Sequence, residues 1–380
     1  MKIGILGMGT IGSGVYELAG KIKGLEVKKV LEKRFEAPYT TTDIEDIASD
    51  PEIKLVVETM GGLHPAYEYA VRMIESGKHY VTANKLLVSA YGQQLTAIAR
   101  SKGKAFLYSA ACGGGIPFLR NLQLAREGDC IEEAGGILNG TTNFILDCMQ
   151  SKGMDYQAAL AEAQERGYAE RDSSSDTDGL DTMRKLVLVC SVGFGRIVEP
   201  SKIPVFGITS ISSIDIEQAR SMGRCIRLCC TVKAKDGSLC AYVEPRFCLK
   251  DSPESSIRSN VNYAWYRGKN CCVIGFSGQG AGRYPTASNI IRDILSVNSP
   301  GCLYMTDESC SSVEPDCTAE SHRYYVRISK EASFPESLIS RRKESGSFSL
   351  IETIAISLKT IHSLLEGIAG AFAAGIEEDA

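Results

Sequence analysis

The 380-residue sequence predicts an α/β protein: a doubly wound parallel sheet, then a second, α+β domain, then a small C-terminal unit. Three observations carry this. Strand and helix signals alternate over residues 1–110, a pattern that only a parallel sheet with helices on both faces accommodates. A glycine-rich turn joins the first strand to the first helix. From Glu132 onward, strand-like runs follow one another closely, as in an antiparallel or mixed sheet. The length exceeds one ordinary core, and the expected division is 1–130 (completed by 278–301), 131–277, a linker at 302–321, and 322–380.

In the first region Lys2–Leu6 is a short buried strand, and Thr10 to Lys23 reads as a helix stopped by Gly24. Val27–Leu31 and Leu55–Glu58 are strands. Pro65 to Ser76 is a helix with proline in its first turn and Gly77 beyond its end. His79–Ala83 and Ala105–Ser109 are strands separated by a helix around Gln93–Arg100. In the second region the strands are Glu132–Leu138, Cys225–Lys233, Cys240–Phe247, Val261–Tyr266 and Cys271–Phe276, with helices at Thr142–Met149, Tyr156–Arg166 and Asp181–Val192. Residues 302–320 are rich in Ser, Asp and Cys without periodicity, hence the linker. A strand–helix–strand–helix unit is expected from Arg323 onward.

Composition narrows the function. Hydrophobic residues make up 44% and charged residues 23%, and the formal net charge is −4. That balance is globular, and it favours neither nucleic acid nor an anionic membrane as partner. The start is not a secretory signal. Leu364–Ile376 is too short to span a bilayer, so a cytoplasmic protein is expected. Fourteen cysteines are present, with no CxxC pair and no zinc-type spacing. Most are expected to be small apolar core residues in a reducing compartment.

Gly7-Met8-Gly9-Thr10-Ile11-Gly12 is G-x-G-x-x-G between a strand and a helix. Gly7 allows the turn, Gly9 lets the backbone approach a pyrophosphate, and Gly12 permits close helix–strand packing. The free N–H groups of the helix start, at Thr10 and Ile11, face the phosphates. This predicts a Rossmann-type dinucleotide site. Glu32, twenty residues after Gly12, is placed to bind the ribose 2′-hydroxyl of NAD, whereas Lys33 and Arg34 suit the 2′-phosphate of NADP. Use of both is expected, although all three also fit plain surface charges.

The richest stretch is 167–185. An acidic, serine-rich loop ends in a helix on which Asp181 and Lys185 are i and i+4 and so share a face. Beyond Lys185 the helix turns apolar. From spacing alone a solvated helix start with an ion pair is the favoured reading.

Taken together, Gly167-Tyr168-Ala169-Glu170, Asp176, Gly179, Asp181 and Lys185 resemble the homoserine dehydrogenase signature. Val81-Thr82-Ala83-Asn84-Lys85 is similar to that family's Asn-Lys loop, residues 136–146 to its first substrate-domain strand and helix entrance, and residues 278–288 to the segment returning to the nucleotide domain. The likeness runs from residue 1 to about 300, with the motifs in order. It implies an NAD(P)-dependent enzyme interconverting aspartate 4-semialdehyde and homoserine, in threonine, methionine and isoleucine biosynthesis. Glu170 and Asp181 would hold the substrate's amino group, with Asp176, Tyr168, Gly140 and Thr141 lining the pocket. Lys185 and Lys85 would sit at the reacting oxygen, either one as proton donor. Gly280, Ala281 and Gly282 would approach the cofactor. Family members can bind a monovalent cation through backbone carbonyls, here near Cys112, Gly114 and Ile116. Ser109 stands where the family has Glu, which weakens that site. Arg171-Asp172-Ser173 replaces the family's Asp-Pro, which makes the loop less stiff.

Residues 322–339 are similar to the opening of an ACT regulatory domain, with Pro335-Glu336 for the usual Pro-Gly. A degenerate ACT-like module for subunit contacts is expected, with a threonine-feedback site as the alternative. The single-function form is expected, with no aspartate kinase domain ahead of it, as a homodimer or homotetramer. Two other readings stay open: another amino-acid dehydrogenase, which Asn84-Lys85 with Glu170, Asp181 and Lys185 argues against, and a non-catalytic nucleotide-bound sensor, which the altered loop favours.

Overall fold

The computed structural model describes residues 1–235, 237–297 and 310–378. The chain divides into two compact units: 1–130 with 187–197 and 278–311, and 131–186 with 198–277 and 312–380.

The first unit is built on six parallel strands: β1 (Lys2–Leu6), β2 (Glu26–Leu31), β3 (Thr40–Thr41), β4 (Ile53–Glu58), β5 (His79–Thr82) and β6 (Phe106–Leu107). Their order is β3-β2-β1-β4-β5-β6. The chain leaves β1 towards one edge, returns, and leaves β4 towards the other. The crevice beyond the carboxyl ends of β1 and β4 is therefore a topological switch point, where open α/β sheets bind ligands. Ile3, Ile5, Leu55, Val56 and Val57 are fully or nearly fully buried, as strands covered on both faces require.

The helix predicted over Thr10–Lys23 stops at Ala19, and residues 20–25 form turns instead. The actual reversal is at Gly24, φ +83°. The helix placed around Gln93–Arg100 begins earlier, at Lys85, because the Asn84 side chain accepts the Leu87 N–H and caps it. The helices Glu45–Ala48 and Phe118–Gly128 and the strand Thr40–Thr41 were not anticipated. The helix Arg283–Ser296 packs on Thr10–Ala19, where any side chain at Gly14 would meet the Arg283 carbonyl and Ala287.

The second unit holds a nine-stranded mixed sheet in the order Val273–Gln279, Val261–Gly268, Ile131–Ile137, Arg224–Lys235, Ser238–Leu249, Phe372–Ile376, Tyr324–Ser329, Phe348–Thr353, Ile339–Ser345. Gly135 and Gly136 lie in its interior, and a side chain at either would run into a carbonyl of a neighbouring strand, Cys230 or Tyr263. Four strands after residue 322 continue this sheet, while Ile356–Ser357 pairs separately with Ser321–His322. The strand–helix–strand–helix order expected there is not observed: after Tyr324–Ser329 the residues beyond Pro335 make one 3-10 turn, Glu336–Leu338, and then strand. Ile339–Ser345 pairs antiparallel with Phe348–Thr353 instead.

Residues 302–309 of the expected linker lie outside the described residues. The rest of it is not structureless. Ser311–Val313 and Ser321–His322 are strands, Asp316 donates its N–H to Leu239, and Cys317 is joined to Cys240 in a disulfide, a correction to the reading of these two cysteines as plain core thiols. Of the others, Cys112, Cys148, Cys190, Cys229, Cys230, Cys248 and Cys310 are buried, and Cys130, Cys271 and Cys272 are exposed. Among the described residues no helix is long and apolar enough to cross a membrane.

The later strands are pinned by a buried ion pair. Asp215, fully buried, accepts from Arg327 Nε at 2.8 Å and from Tyr325 Oη at 2.9 Å. Removing one partner of such a pair strands the other charge. Asp215→Ala is expected to destabilise the protein by about 3–5 kcal/mol, read as a lowered urea midpoint. An unchanged midpoint would show that Arg327 finds another partner.

Candidate functional site

In the first unit the glycine-rich loop has the predicted geometry. Gly7 turns at φ +92°, no heavy atom lies within 4 Å of where a side chain at Gly9 would begin, and a side chain at Gly12 would collide with the Gly7 carbonyl and Thr59. The helix starting at Thr10 has Gly9 as its N-cap and no capping side chain or acidic residue in its first turn, so its N–H groups suit an anion. These are the features a dinucleotide pyrophosphate requires.

Glu32, 6% exposed, is an anchor as much as a ligand. Its carboxylate accepts from the backbone N–H of Met8 inside the glycine loop (3.0 Å), from those of Lys33 (2.8 Å) and Arg34 (2.9 Å), and from the Arg34 guanidinium at 2.9 and 2.6 Å. The Arg34 side chain, together with these backbone donors, holds Glu32 down at about 2 against the opposing effect of burial. Arg34 remains largely exposed, and Lys33 is exposed beside it.

A second carboxylate was missed in the sequence because it reads as the end of a buried strand. Glu58, fully buried, accepts from Met60 N (2.6 Å), Gly61 N (2.9 Å) and Thr82 Oγ1 (2.6 Å). Thr82 Oγ1 accepts from Asn84 N at 2.9 Å, and Asn84 Nδ2 donates to the Gly62 carbonyl at 2.6 Å. Lys85 follows as the first residue of the helix that Asn84 caps, and is half-buried.

Gly280, Ala281 and Gly282 lie against the loop of residues 112–116: a side chain at Gly114 would meet the Gly280 carbonyl, and Gly282 (φ +117°) starts the helix Arg283–Ser296. Asn289 Nδ2 donates to the carbonyls of Gly114 (2.8 Å) and Ile116 (3.1 Å), so two of the carbonyls expected to hold a cation already serve an amide. Asp293 accepts from Ser109 N and Oγ at 2.8 and 2.6 Å, and its burial pushes it up to about 6. Asp293 thus brings a carboxylate to the position where Ser109 replaces one. Among the described residues no group of three or more His, Cys, Asp or Glu could hold a metal ion.

In the second unit the acid–lysine cluster is assembled. Lys185 Nζ is 2.7 Å from Asp181 Oδ2 and donates to the Leu138 carbonyl at 2.6 Å. Asp181 is 4% and Lys185 9% exposed. Asn139 Nδ2 donates to Asp176 Oδ1 (2.7 Å) and Asp181 Oδ2 (2.9 Å), while its Oδ1 accepts from Thr142 N (2.8 Å) and caps the helix Gly140–Lys152. Asn262 Nδ2 donates to the same Leu138 carbonyl at 2.8 Å, and its buried Oδ1 has no hydrogen-bond partner among the described residues. Asn262 Oδ1 also borders Gly140, where a side chain would not fit. Thr141 Oγ1 donates to the Tyr168 carbonyl (2.6 Å), and the Tyr168 ring packs edge-on against Phe144. The spacing reading left a solvated helix start open. Burial and the Leu138 and Asn139 contacts remove that alternative.

Glu170 is exposed on the loop before Ser174, and its backbone carbonyl accepts from Gln164 Nε2. Asn139 and Asn262 were not singled out in the sequence. The first follows a strand within the Asn-Gly-Thr run and carried a cap signal, but the second carried none.

Two family models match the chain: homoserine dehydrogenase over residues 117–295, and the NAD-binding domain of homoserine dehydrogenase over residues 7–109. The chain is 37% identical over 350 residues to a homoserine dehydrogenase of Synechocystis, covering 87% of this chain and 79% of that one. Its fold is similar to that of a homoserine dehydrogenase from Thiobacillus denitrificans, with a TM-score of 0.88 at 26% identity over 100% of this chain and 98% of that one. It is also similar to a hyperthermophilic archaeal homoserine dehydrogenase solved in complex with NADPH, with a TM-score of 0.67 at 23% identity over 78% and 97% of the two chains.

Because Glu32 is depressed in the folded protein, its contribution to stability is complete above the ordinary value of 4.5 and is lost as pH falls from there through about 2. The thermal midpoint of Glu32→Gln is therefore expected to lie below that of the unsubstituted protein at neutral pH, with the gap closing over that acid window. A gap of constant size would mean that the carboxylate's charge is not what holds the loop.

Proposed function

The chain belongs to the homoserine dehydrogenase family, and from that premise we propose which of its residues carry the reaction. The activity is the reversible, NAD(P)-dependent interconversion of aspartate 4-semialdehyde and homoserine. The observation that carries the assignment of roles is the buried Lys185–Asp181 pair held by Asn139 and the Leu138 carbonyl.

The dinucleotide supplies the hydride in reduction and takes it in oxidation. Gly7, Gly9, Thr10, Ile11 and Gly12 would hold its pyrophosphate, and Gly280, Ala281 and Gly282 would border it. Lys185 is the proton donor: its ammonium passes a proton to the aldehyde oxygen as the carbonyl carbon is reduced, and its neutral amine takes the hydroxyl proton back in oxidation. Lys85 is the second cation and stabilises charge developing on the same oxygen. Asp181, Asp176 and Glu170 receive the substrate ammonium, which needs carboxylate partners once water is excluded. Gly140, Thr141 and Tyr168 line that pocket.

Removing the donor tests this. With homoserine at alkaline pH, Lys185→Met is expected to lose roughly 10²–10⁴-fold in kcat/KM, followed by nicotinamide absorbance, while still binding the dinucleotide. Turnover near the unsubstituted rate would overturn the assignment; binding without any turnover in the unsubstituted protein would favour the sensor reading.

Arg34 sets the use of the phosphorylated cofactor. Glu32 is committed to the loop and to Arg34, so the pair presents a guanidinium beside the ribose position rather than an open carboxylate. The related archaeal enzyme was solved with NADPH. Arg34→Ala is expected to raise KM for NADPH about tenfold, the worth of one charge-assisted bond, and to leave KM for NADH nearly unchanged. An equal rise for both would assign Arg34 a role in holding the loop.

The protein is proposed to be a cytoplasmic homo-oligomer. The strand Val273–Gln279 at the sheet edge exposes Val273 and Ile274, an apolar edge suited to a second copy. The C-terminal unit, whose opening resembles an ACT domain in sequence but not in its order of elements, is assigned to subunit contacts.

A further inference from the structure

Glu58 has no part in the roles above, yet it is a fully buried carboxylate that a solvated surface strand would not need. Its two oxygens face two different loops. Oε1 takes the N–H groups of Met60 and Gly61, which lead out of β4, and Met60 packs against Gly7, the first glycine of the phosphate loop. Oε2 takes the Thr82 hydroxyl at the end of β5, and that same hydroxyl receives the N–H of Asn84. Asn84 closes the circuit by donating to Gly62 and capping the helix whose first residue is Lys85. The bonds that link Glu58 to Thr82, Asn84 and Gly62 and to the Met60 and Gly61 N–H groups are 2.6–2.9 Å long, and the cap bond from Leu87 N to Asn84 Oδ1 is 3.2 Å.

We propose that Glu58 is the positioning residue for Lys85: acting through Thr82 and Asn84, it fixes the turn that presents the lysine in register with the phosphate loop. Thr82 is the relay, because its single hydroxyl donates to Glu58 and accepts from Asn84. The proposal rests on the reading of Lys85 as the second cation. A displaced lysine lowers the rate of the chemical step without loosening the pyrophosphate loop, since Gly9, Thr10 and Ile11 take no part in the circuit. Misplacement of a reacting group by about 1 Å is enough to cost up to ~10²-fold.

The test uses the full chain and follows homoserine oxidation with NADP as the oxidant. Thr82→Val keeps the shape of a fully buried side chain and removes the relay, and Thr82→Ser restores it. The expected result is a fall in kcat of roughly tenfold or more for Thr82→Val and for Glu58→Gln, with KM for NADP within about twofold, as befits a loss of transition-state rather than ground-state interactions. Thr82→Ser returns to near the unsubstituted kcat, and Thr82→Val adds nothing further in a Lys85→Met background. Any of these kinetic results would overturn it: an unchanged kcat in Thr82→Val while Lys85→Met is impaired, which removes the positioning role alone; a full additional loss in the double variant, which makes Thr82 act independently of the lysine; or an unchanged kcat in Lys85→Met, which removes the reading of Lys85 and the positioning role with it. Thermal midpoints of Thr82→Val and Glu58→Gln guard against simple unfolding: a loss of kcat that tracks a lowered midpoint and is not rescued by Thr82→Ser also overturns it.

Discussion

An ammonium group does not enter a protein interior without partners, and around Lys185 the second unit supplies Asp181 and the Leu138 carbonyl. Asp181 comes from one turn earlier on the same helix and the Leu138 carbonyl from the end of a central strand, where Asn262 of a neighbouring strand bonds it in turn. The desolvation of two charges is offset only when such geometry is complete. That requirement explains features that look unrelated in sequence: glycines at 135, 136 and 140 where backbones must touch, and an asparagine at 139 that caps one helix while bridging two carboxylates.

The first unit applies a related device to its loops. Glu32 just beyond β2 and Glu58 at the end of β4 each accept two N–H groups from the loop that follows, and each reaches a second loop with its other oxygen. Backbone donors that would otherwise be unpaired beyond a strand end are satisfied, and loops are fixed relative to one another without a metal or a disulfide. Rigid loops at the switch point are what a dinucleotide site needs, because positioning there is exchanged directly for rate.

How much of this was legible beforehand depended on range. The glycine loop, five of the six strands of the parallel sheet and the i,i+4 relation of Asp181 and Lys185 rest on local signals, and the sequence contained them; the spatial order of those strands rests on distant pairings. Asn262 and Glu58 rest on contacts between distant segments, and no local signal distinguishes a strand-end glutamate at the surface from one that is fully buried. The helix end at Ala19 was misplaced because Gly20 and Gly24 are both adequate stops, and packing chose the earlier one. Beyond residue 321, the pairing of Ile339–Ser345 with Phe348–Thr353 replaced the helix that was expected after Pro335, and no local signal announces that pairing. Cys317 was read as part of a structureless stretch because its partner, Cys240, is 77 residues away.

A crystal structure of the protein with homoserine and the oxidised dinucleotide tests the central claim most directly. The account places the homoserine hydroxyl oxygen about 2.6–3.2 Å from Lys185 Nζ, with Asp181 still against the lysine and the substrate ammonium among the carboxylates. Homoserine held with its hydroxyl on other groups, and Lys185 engaged solely by Asp181 and the Leu138 carbonyl, would reduce that ion pair to a purely structural element and contradict the account.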